Sequence, residues 1–257
     1  MATTSDHDLA ENIATSTGDL LLALRLRLEK EEAPPGYIRQ EGDRLAHEHI
    51  LKLLEQERPE DAVLSEEGSA NEIHPDRLSS ERVWIVDPLD GTREFGETGR
   101  NDWAVHVAMV ENGHPTVGAV ALPSLGMTLS TKDELVEFKN KALHKPPRLV
   151  VSRTRPASES LIIAERMGAK LIEMGSAGAK AMAVVRGEAD AYIHSGGQYE
   201  WDSCAPVAVA LLAGFHASRK DGSPLIYNQN DSYMPDLVIC HPKLSEVIID
   251  SISKGLL

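Results

Sequence analysis

The chain has 257 residues, 42% of them hydrophobic and only 4% aromatic, so its core must rest on Leu, Val, Ile and Ala. That length suits one large domain or two closely packed halves. With 26 Lys and Arg against 40 Asp and Glu, the formal charge is −14. Such a charge disfavours DNA, RNA and anionic membranes as partners, and admits a phosphate ester only where cations reverse the charge locally.

Residues 1–19 are polar and acidic, with neither the basic start nor the apolar stretch of a signal peptide. The longest apolar run, Ala205–Phe215, is too short to span a bilayer, so a soluble cytoplasmic protein is expected. Leu9, Ile13, Leu20, Leu24 and Leu28 predict an amphipathic first helix ended by Ala33-Pro34-Pro35-Gly36. Leu45, Ile50, Leu53 and Leu54 predict a second helix, with Asp43 near its start and Arg58-Pro59 closing it. Short strands follow at Ala62–Ser65 and Val83–Val86, then a hairpin of Trp103–Val110 and Thr116–Leu122 joined through Glu111–Pro115, and Met127–Thr131 extends the sheet. The basic segment Lys139–Arg148, with Pro146-Pro147, is the most linker-like stretch. Beyond it strand and helix alternate. Strands are expected at Leu149–Val151, Leu171–Met174, Ala191–His194 and Leu237–Cys240, with helices at Ser158–Met167, Ala177–Arg186, Ser203–Ala213 and Leu244–Ser253. A layered α/β or α+β architecture follows. The two cysteines, Cys204 and Cys240, have no metal-ligand or redox spacing and read as buried free thiols.

The chemistry concentrates where strands end in carboxylates. Glu66 follows one apolar run, Asp87 another, and Asp90 comes three residues later. Pro88 fixes the backbone between the two aspartates, and Gly91 permits a tight turn. Hard divalent cations take oxygen ligands, and Mg²⁺ uses a few carboxylates together with waters and substrate phosphate. Asp87 and Asp90 on one turn can both reach a metal, Leu89 can offer its carbonyl, and the amides of Gly91 and Thr92 can hold a phosphate. An Asp-Gly pair alone is an ordinary turn. The full run Trp84–Thr92 meets several functional needs at once. Far downstream, Asp202 precedes an apolar helix with Pro206 in its first turn; it reads as a helix N-cap, a metal ligand, or both. His106 reads as one member of an alternating strand with no acid placed to make it catalytic.

Leu64-Ser65-Glu66-Glu67, Trp84–Thr92, Gly175–Lys180 and Trp201–Pro206 together resemble, in that order, the inositol monophosphatase-type, lithium-sensitive, Mg²⁺-dependent phosphatases. The resemblance spans about Asp43 to Phe215. Within the family, Thr92-Arg93-Glu94-Phe95 and Gly175-Ser176-Ala177-Gly178-Ala179-Lys180 are most similar to the CysQ branch of 3′(2′),5′-bisphosphate nucleotidases. Gln40-Glu41-Gly42-Asp43-Arg44 departs from the Thr-rich segment usual before the early aspartate, and the Gly178-Ala179 pair departs from the common pattern as well.

The resemblance implies a single phosphatase domain with an αβαβα sandwich of the carbohydrate phosphatase type, divided near residue 145 into 1–145 and 146–257. It implies Glu66, Asp87, Asp90, Asp202 and the Leu89 carbonyl as ligands of two or three Mg²⁺ ions. Asp43, Glu66 and Thr92 would be catalytic, Thr92 polarised by Asp43 to take a proton from the attacking water. Gly91, Thr92, Arg93, Ser176, Lys180 and Asp202 would contact substrate. Arg93 is read as a second-phosphate contact or a surface partner of Glu94 or Glu97, and Lys180 as a phosphate or base contact or a solvated helix lysine. The expected reaction removes phosphate from 3′-phosphoadenosine 5′-phosphate, and from 3′-phosphoadenylyl sulfate, in sulfate assimilation by a homodimer. The alternatives are an inositol monophosphatase or fructose-1,6-bisphosphatase of broad specificity, and a non-catalytic metal or nucleotide sensor.

Overall fold

The computed structural model describes residues 1–68, 76–132 and 142–253. Two long helices open the chain, α1 (Thr4–Lys30) and α2 (Pro35–Glu57). The buried stripe of α1 runs through Ala10, Ile13, Ala14, Thr17, Leu21, Leu24 and Leu28, with Leu9 and Leu20 only half-buried at its flanks. Pro35 sits at the first position of α2, where its missing N–H costs nothing. Pro35-Gly36 therefore begins the second helix as well as ending the first, and Asp43 lies in the helix interior, not near its start.

The first sheet has the order β1-β2-β3-β4-β5, made of β1 (Ala62–Ser65), β2 (Arg82–Asp90), β3 (Ala104–Glu111), β4 (His114–Leu122) and β5 (Met127–Ser130). Only β1 and β2 are parallel. The hairpin turn is tighter than its sequence suggested. Asn112 and Gly113, both at positive φ, make a two-residue connection, and Pro115 is already in the strand. The second sheet has the order β7-β6-β8-β10-β9, made of β6 (Arg148–Ser152), β7 (Lys170–Met174), β8 (Ala191–Tyr199), β9 (His216–Ser218) and β10 (Tyr233–Cys240). The remaining helices are α3 (Thr92–Phe95), α4 (Ser158–Met167), α5 (Ala177–Val185), α6 (Glu200–Leu212) and α7 (Ser245–Ser253). Of the linker-like segment 139–148, residues 139–141 lie outside the described residues.

Strand alternation sorts the side chains into layers. Trp84, Val86, Val105, Val107 and Met109 face α1 and α2. Val83, Ile85, Ala104, Ala108 and Val110 face the opposite way, sharing a core with α5, α6 and the inner residues Val150, Tyr192, Leu237 and Ile239 of the second sheet. Leu149, Ile193 and Val238 pack against α4 and α7. The layers therefore run α1/α2, sheet, α5/α6, sheet, α4/α7, the αβαβα sandwich expected. Both cysteines are buried and unbonded to each other. No helix among the described residues is long and apolar enough to cross a membrane.

Close approach depends on glycine at two places near the site. A Cβ at Gly42 would lie 2.6 Å from Phe95 and 2.8 Å from Leu89, so α2 can press against the end of β2 only with glycine there. A Cβ at Gly118 would lie 2.6 Å from Ala208 and 2.8 Å from the Ala205 carbonyl, so α6 lies directly on β4.

Candidate active site

β2 carries its strand geometry through Asp87, Pro88 and Leu89 to Asp90, with an irregularity in pairing to β3 between the two aspartates. Such a bulge re-aims side chains, and both carboxylates turn toward the α5/α6 layer. Asp87 is buried, and its Oδ1 accepts the Leu89 amide at 3.1 Å. Gly91 follows at φ 86° as the left-handed residue opening the short α3. Any other residue would be strained there, and a Cβ would meet Ser176 at 3.1 Å and the Asp102 carbonyl at 3.2 Å.

Asp90 is seated on the N-terminus of α5. Its oxygens accept the amides of Ala177 at 3.0 Å and Gly178 at 2.6 Å, together with the Ser176 hydroxyl. Ser176 also caps the helix, its Oγ accepting the Ala179 amide at 2.9 Å. The Ser176 hydroxyl is thus spent on positioning Asp90. Lys180 is buried, not solvated, and its ammonium donates to the carbonyls of Gly175 and Ser176.

Asp202 is the third residue of α6, not the residue before it; the helix starts at Glu200, so Pro206 lies in the helix interior. Asp202 Oδ2 accepts the Tyr199 amide at 2.7 Å, half of a capping box. Pro206 has no N–H to give the Asp202 carbonyl four residues earlier. Oxygens of Asp87, Asp90 and Asp202 lie within 4.8 Å of one another, and this trio could hold a metal ion. Glu66 follows the end of β1, its carboxyl interacting with that of Asp87 while keeping an exposed edge.

Crowding of acids shapes the electrostatics. Burial and then the charges of Glu66, Asp90 and Asp202 push Asp87 well above the carboxylate range. The protein packed over Glu66, followed by Asp202 and Asp90, raises its carboxyl to about 7 against the pull of Asp87. Burial and Asp90 raise Asp202 to about 6. Asp90 goes the other way. Burial alone would raise it, but the His106 imidazole, the Lys180 ammonium and the Ser176 hydroxyl outweigh that and hold it below the usual range. Carboxylates raised together in this way favour a bound cation, and their hard oxygens suit Mg²⁺.

Thr92 Oγ1 lies 3.1 Å from Asp43 Oδ1 and 3.0 Å from the Leu89 carbonyl, so the pair expected from sequence is within hydrogen-bond reach. Burial, then the charge of Glu67, lifts Asp43 to about 7 against the pull of Thr92 and Arg39. Arg93 is exposed. The pairings with Glu94 and Glu97 belong to Arg153, at 2.7 Å each, and among the described residues Arg93 is paired with no carboxylate.

Beside the acids lies a cavity of about 220 Å³ whose wall includes Asp90, Gly91, Arg93, Ser176, Lys180 and Asp202, together with Arg153, Arg155, Tyr192, His194 and Gln198. A neighbouring cavity of about 380 Å³ shares Ser152, Arg155 and His194 with it. The sequence reading missed Arg153, Arg155, His194 and Asp102. Asp102 is buried and accepts the Gly175 amide. It also missed the place of His106, which is fully buried beneath the acids. Nδ1 of His106 donates to the Trp201 carbonyl at 3.0 Å, and its Nε2 is 3.3 Å from Asp90 Oδ2.

Comparison with known proteins agrees with this arrangement. The 3′-phosphoadenosine 5′-phosphate phosphatase of Mycobacterium leprae (strain TN) is 45% identical over 255 residues, covering 95% of this chain and 92% of its own. The 3′(2′),5′-bisphosphate nucleotidase CysQ of Escherichia coli (strain K12) is 31% identical over 202 residues, covering 75% and 80%. Among solved structures, CysQ from Bacteroides thetaiotaomicron superposes with a TM-score of 0.73 at 26% identity, covering 93% of this chain and 97% of that one. Inositol monophosphatase II from Staphylococcus aureus MSSA476 shares the fold, with a TM-score of 0.76 at 18% identity and 99% coverage of both chains. Residues 24–256 match the Inositol monophosphatase family, and the chain belongs to it.

Proposed function

We propose that this chain is a Mg²⁺-dependent phosphatase that releases the 3′-phosphate of 3′-phosphoadenosine 5′-phosphate, giving AMP and phosphate. The observation that carries the reading is that Asp90 and Asp202 of the acidic trio line a cavity whose wall also holds Arg93, Arg153 and Arg155. In a chain of charge −14, arginines beside the acids support a second-phosphate subsite, and Arg93 has no carboxylate partner among the described residues. The names of the relatives at 45% and 31% identity favour the same substrate class. On this reading the whole chain is one phosphatase domain whose site draws on both halves, 1–145 and 146–257. It acts in the cytoplasm as a homodimer within sulfate assimilation, accepts 3′-phosphoadenylyl sulfate too, and is inhibited by lithium.

Glu66, Asp87, Asp90, Asp202 and the Leu89 carbonyl would hold two or three Mg²⁺ ions. When bound, the ions supply charge neutralisation for the phosphoryl group and lower the pKa of water. The chain's own residues do the rest. With its hydrogen directed to Asp43, Thr92 Oγ1 presents a lone pair that can accept a proton from the attacking water. An acceptor poised at about 7 suits neutral pH, and Asp43 holds that position behind Thr92. The amides of Gly91 and Thr92 would bind the phosphate that leaves. Arg93 would meet the second phosphate, and Ser176, Lys180 and Asp202 form the wall against which the nucleotide lies.

The test is a turnover panel in Mg²⁺, comparing 3′-phosphoadenosine 5′-phosphate with inositol 1-phosphate and fructose 1,6-bisphosphate. The bisphosphorylated nucleotide is expected to have the highest kcat/KM. Preference for inositol phosphate or the sugar bisphosphate would overturn the substrate, and Mg²⁺ binding with no release from any of them would overturn the enzyme.

A further inference from the structure

His106 projects from β3 directly across from Asp87 in the strand register, on the face turned to α5 and α6. It is fully buried and touches each of the three segments that build the acidic site. From the β2 segment, Asp90 Oδ2 is 3.3 Å from Nε2 and Asp87 Oδ2 is 3.9 Å from Nδ1. From the α6 segment, the Trp201 carbonyl accepts from Nδ1 at 3.0 Å, one residue before Asp202. From the α5 segment, Gly178 lies against the ring so closely that a Cβ on it would fall 2.0 Å from Nε2. That same Gly178 gives its amide to Asp90. A carbonyl cannot donate, so the Trp201 contact fixes a hydrogen on Nδ1 and with it the orientation of the ring. Nε2 lies 3.3 Å from Asp90 Oδ2, so the ring bears directly on that carboxylate.

We propose that His106 is the positioning residue that fixes the separation of Asp90 and Asp202, and thereby sets the affinity of the site for divalent cations. The inference rests on the reading of these acids as metal ligands. Asp90 comes from β2 and Asp202 from α6, so no local backbone geometry ties one to the other. The imidazole is a rigid plate linking the two segments, held at one end by the Trp201 carbonyl of α6 and stopped at the other by Asp90 and the N-terminus of α5. Gly178 is the matching half of the device, since only glycine leaves room for the ring. A histidine that merely fills the core would leave cation affinity unchanged on replacement by an apolar residue of similar size.

The experiment measures Mg²⁺ binding by calorimetry on the metal-stripped full chain. It compares wild type with His106→Leu, His106→Asn, Gly178→Ala and the double variant Gly178→Ala/His106→Asn. Partners of metal ligands are worth roughly 10–100-fold in affinity, and His106→Leu is expected to weaken Mg²⁺ binding by about that factor. His106→Asn keeps an N–H for the Trp201 carbonyl but not the contact with Asp90, and is expected to recover part of the loss. Gly178→Ala should weaken binding in the wild-type background but much less in the double variant, where the shorter asparagine side chain leaves space for the new methyl. Circular dichroism without metal identifies any variant that fails to fold. If His106→Leu is that variant, the His106→Asn and Gly178→Ala proteins carry the test. Wild-type affinity in His106→Leu, failure of His106→Asn to recover, or additive effects of the two substitutions would each overturn the proposal. Absence of Mg²⁺ binding by wild type would instead overturn the reading of the acids as a metal centre, and this inference with it.

Discussion

Replacing Asp202 by Asn should make the metal-free protein more stable and the Mg²⁺-bound protein less so. The Asp202 carboxyl is raised from 3.8 to about 6 in the folded chain, by burial first and then by Asp90. A folded pKa above the unfolded one means that the folded state favours the protonated acid. Ionisation at neutral pH therefore penalises the fold by up to roughly 3 kcal/mol at 1.36 kcal/mol per unit. Asp202 is partly exposed, which trims this figure. Asn also gives up about 0.5 kcal/mol of charge interaction with the start of α6, leaving a net gain of about 1–2 kcal/mol. For a chain of this size that is a rise of about 3–6 °C in Tm. In Mg²⁺ the wild type gains about 2.7 kcal/mol at 100 times Kd, and a variant lacking a ligand gains far less. The assay is thermal unfolding in EDTA and in Mg²⁺, at pH 7.5 and pH 4. The advantage of the variant in EDTA should fade as pH falls through 6 and be gone near pH 4, and turnover should be lost throughout. A variant less stable than wild type in EDTA at pH 7.5, or one with an undiminished Mg²⁺ shift, would refute the reasoning.

Thr92→Ala should lower kcat by about 100-fold or more with KM little changed, because the hydroxyl beside Asp43 is assigned to proton transfer and not to binding; steady-state kinetics on the bisphosphate nucleotide check this. Gly175→Ala places a methyl 2.2 Å from Glu94 Cδ and should cost about 1–3 kcal/mol in urea unfolding, with Glu94→Ala relieving much of it. Glu159 sits near the start of α4. Burial works to raise its carboxyl, but Lys220 and its other hydrogen-bond partners hold it at about 2. A depressed acid stabilises the fold above its unfolded pKa. Glu159→Gln should therefore cost about 1–2 kcal/mol at pH 7, after discounting for solvent, and the deficit should shrink below pH 4.5 and vanish near pH 2. Urea unfolding across that range measures it.

What was legible in the sequence was local. The run Trp84–Thr92 carries two carboxylates, a turn glycine and a hydroxyl within one strand end, so neighbouring residues announce one another. Asp202 was legible because it leads into an apolar helix, although that helix begins at Glu200, three residues before the expected start at Ser203. The layered fold was legible in the change from hairpin to alternating strand and helix. His106 was not, because strand alternation says that a residue faces inward but not what it meets there. Arg153 and Arg155 carry no local motif, and only the packing of the loop after β6 beside α5 and β8 brings them to the wall of the same cavity as Asp90 and Asp202. Of the two readings of Lys180, the solvated helix lysine fails for a physical reason. The carbonyls of Gly175 and Ser176 turn back to meet its ammonium, and a buried lysine needs acceptors of that kind.

The two cavities have a consequence for how such a protein can diverge. The acids sit on β2 and α6 at the centre of the sandwich, braced by helix N-termini that tolerate little change. The neighbouring cavity is walled by Ser152, Arg155, Pro156, Ala157 and Ser158, from the end of β6 to the start of α4, and by His194, Ser195 and Gly196 of β8. Substitutions there can reshape what is admitted while the reaction centre stays intact. One scaffold can thus pass from one phosphorylated metabolite to another by drift in this neighbouring cavity, with hydrolysis inherited unchanged.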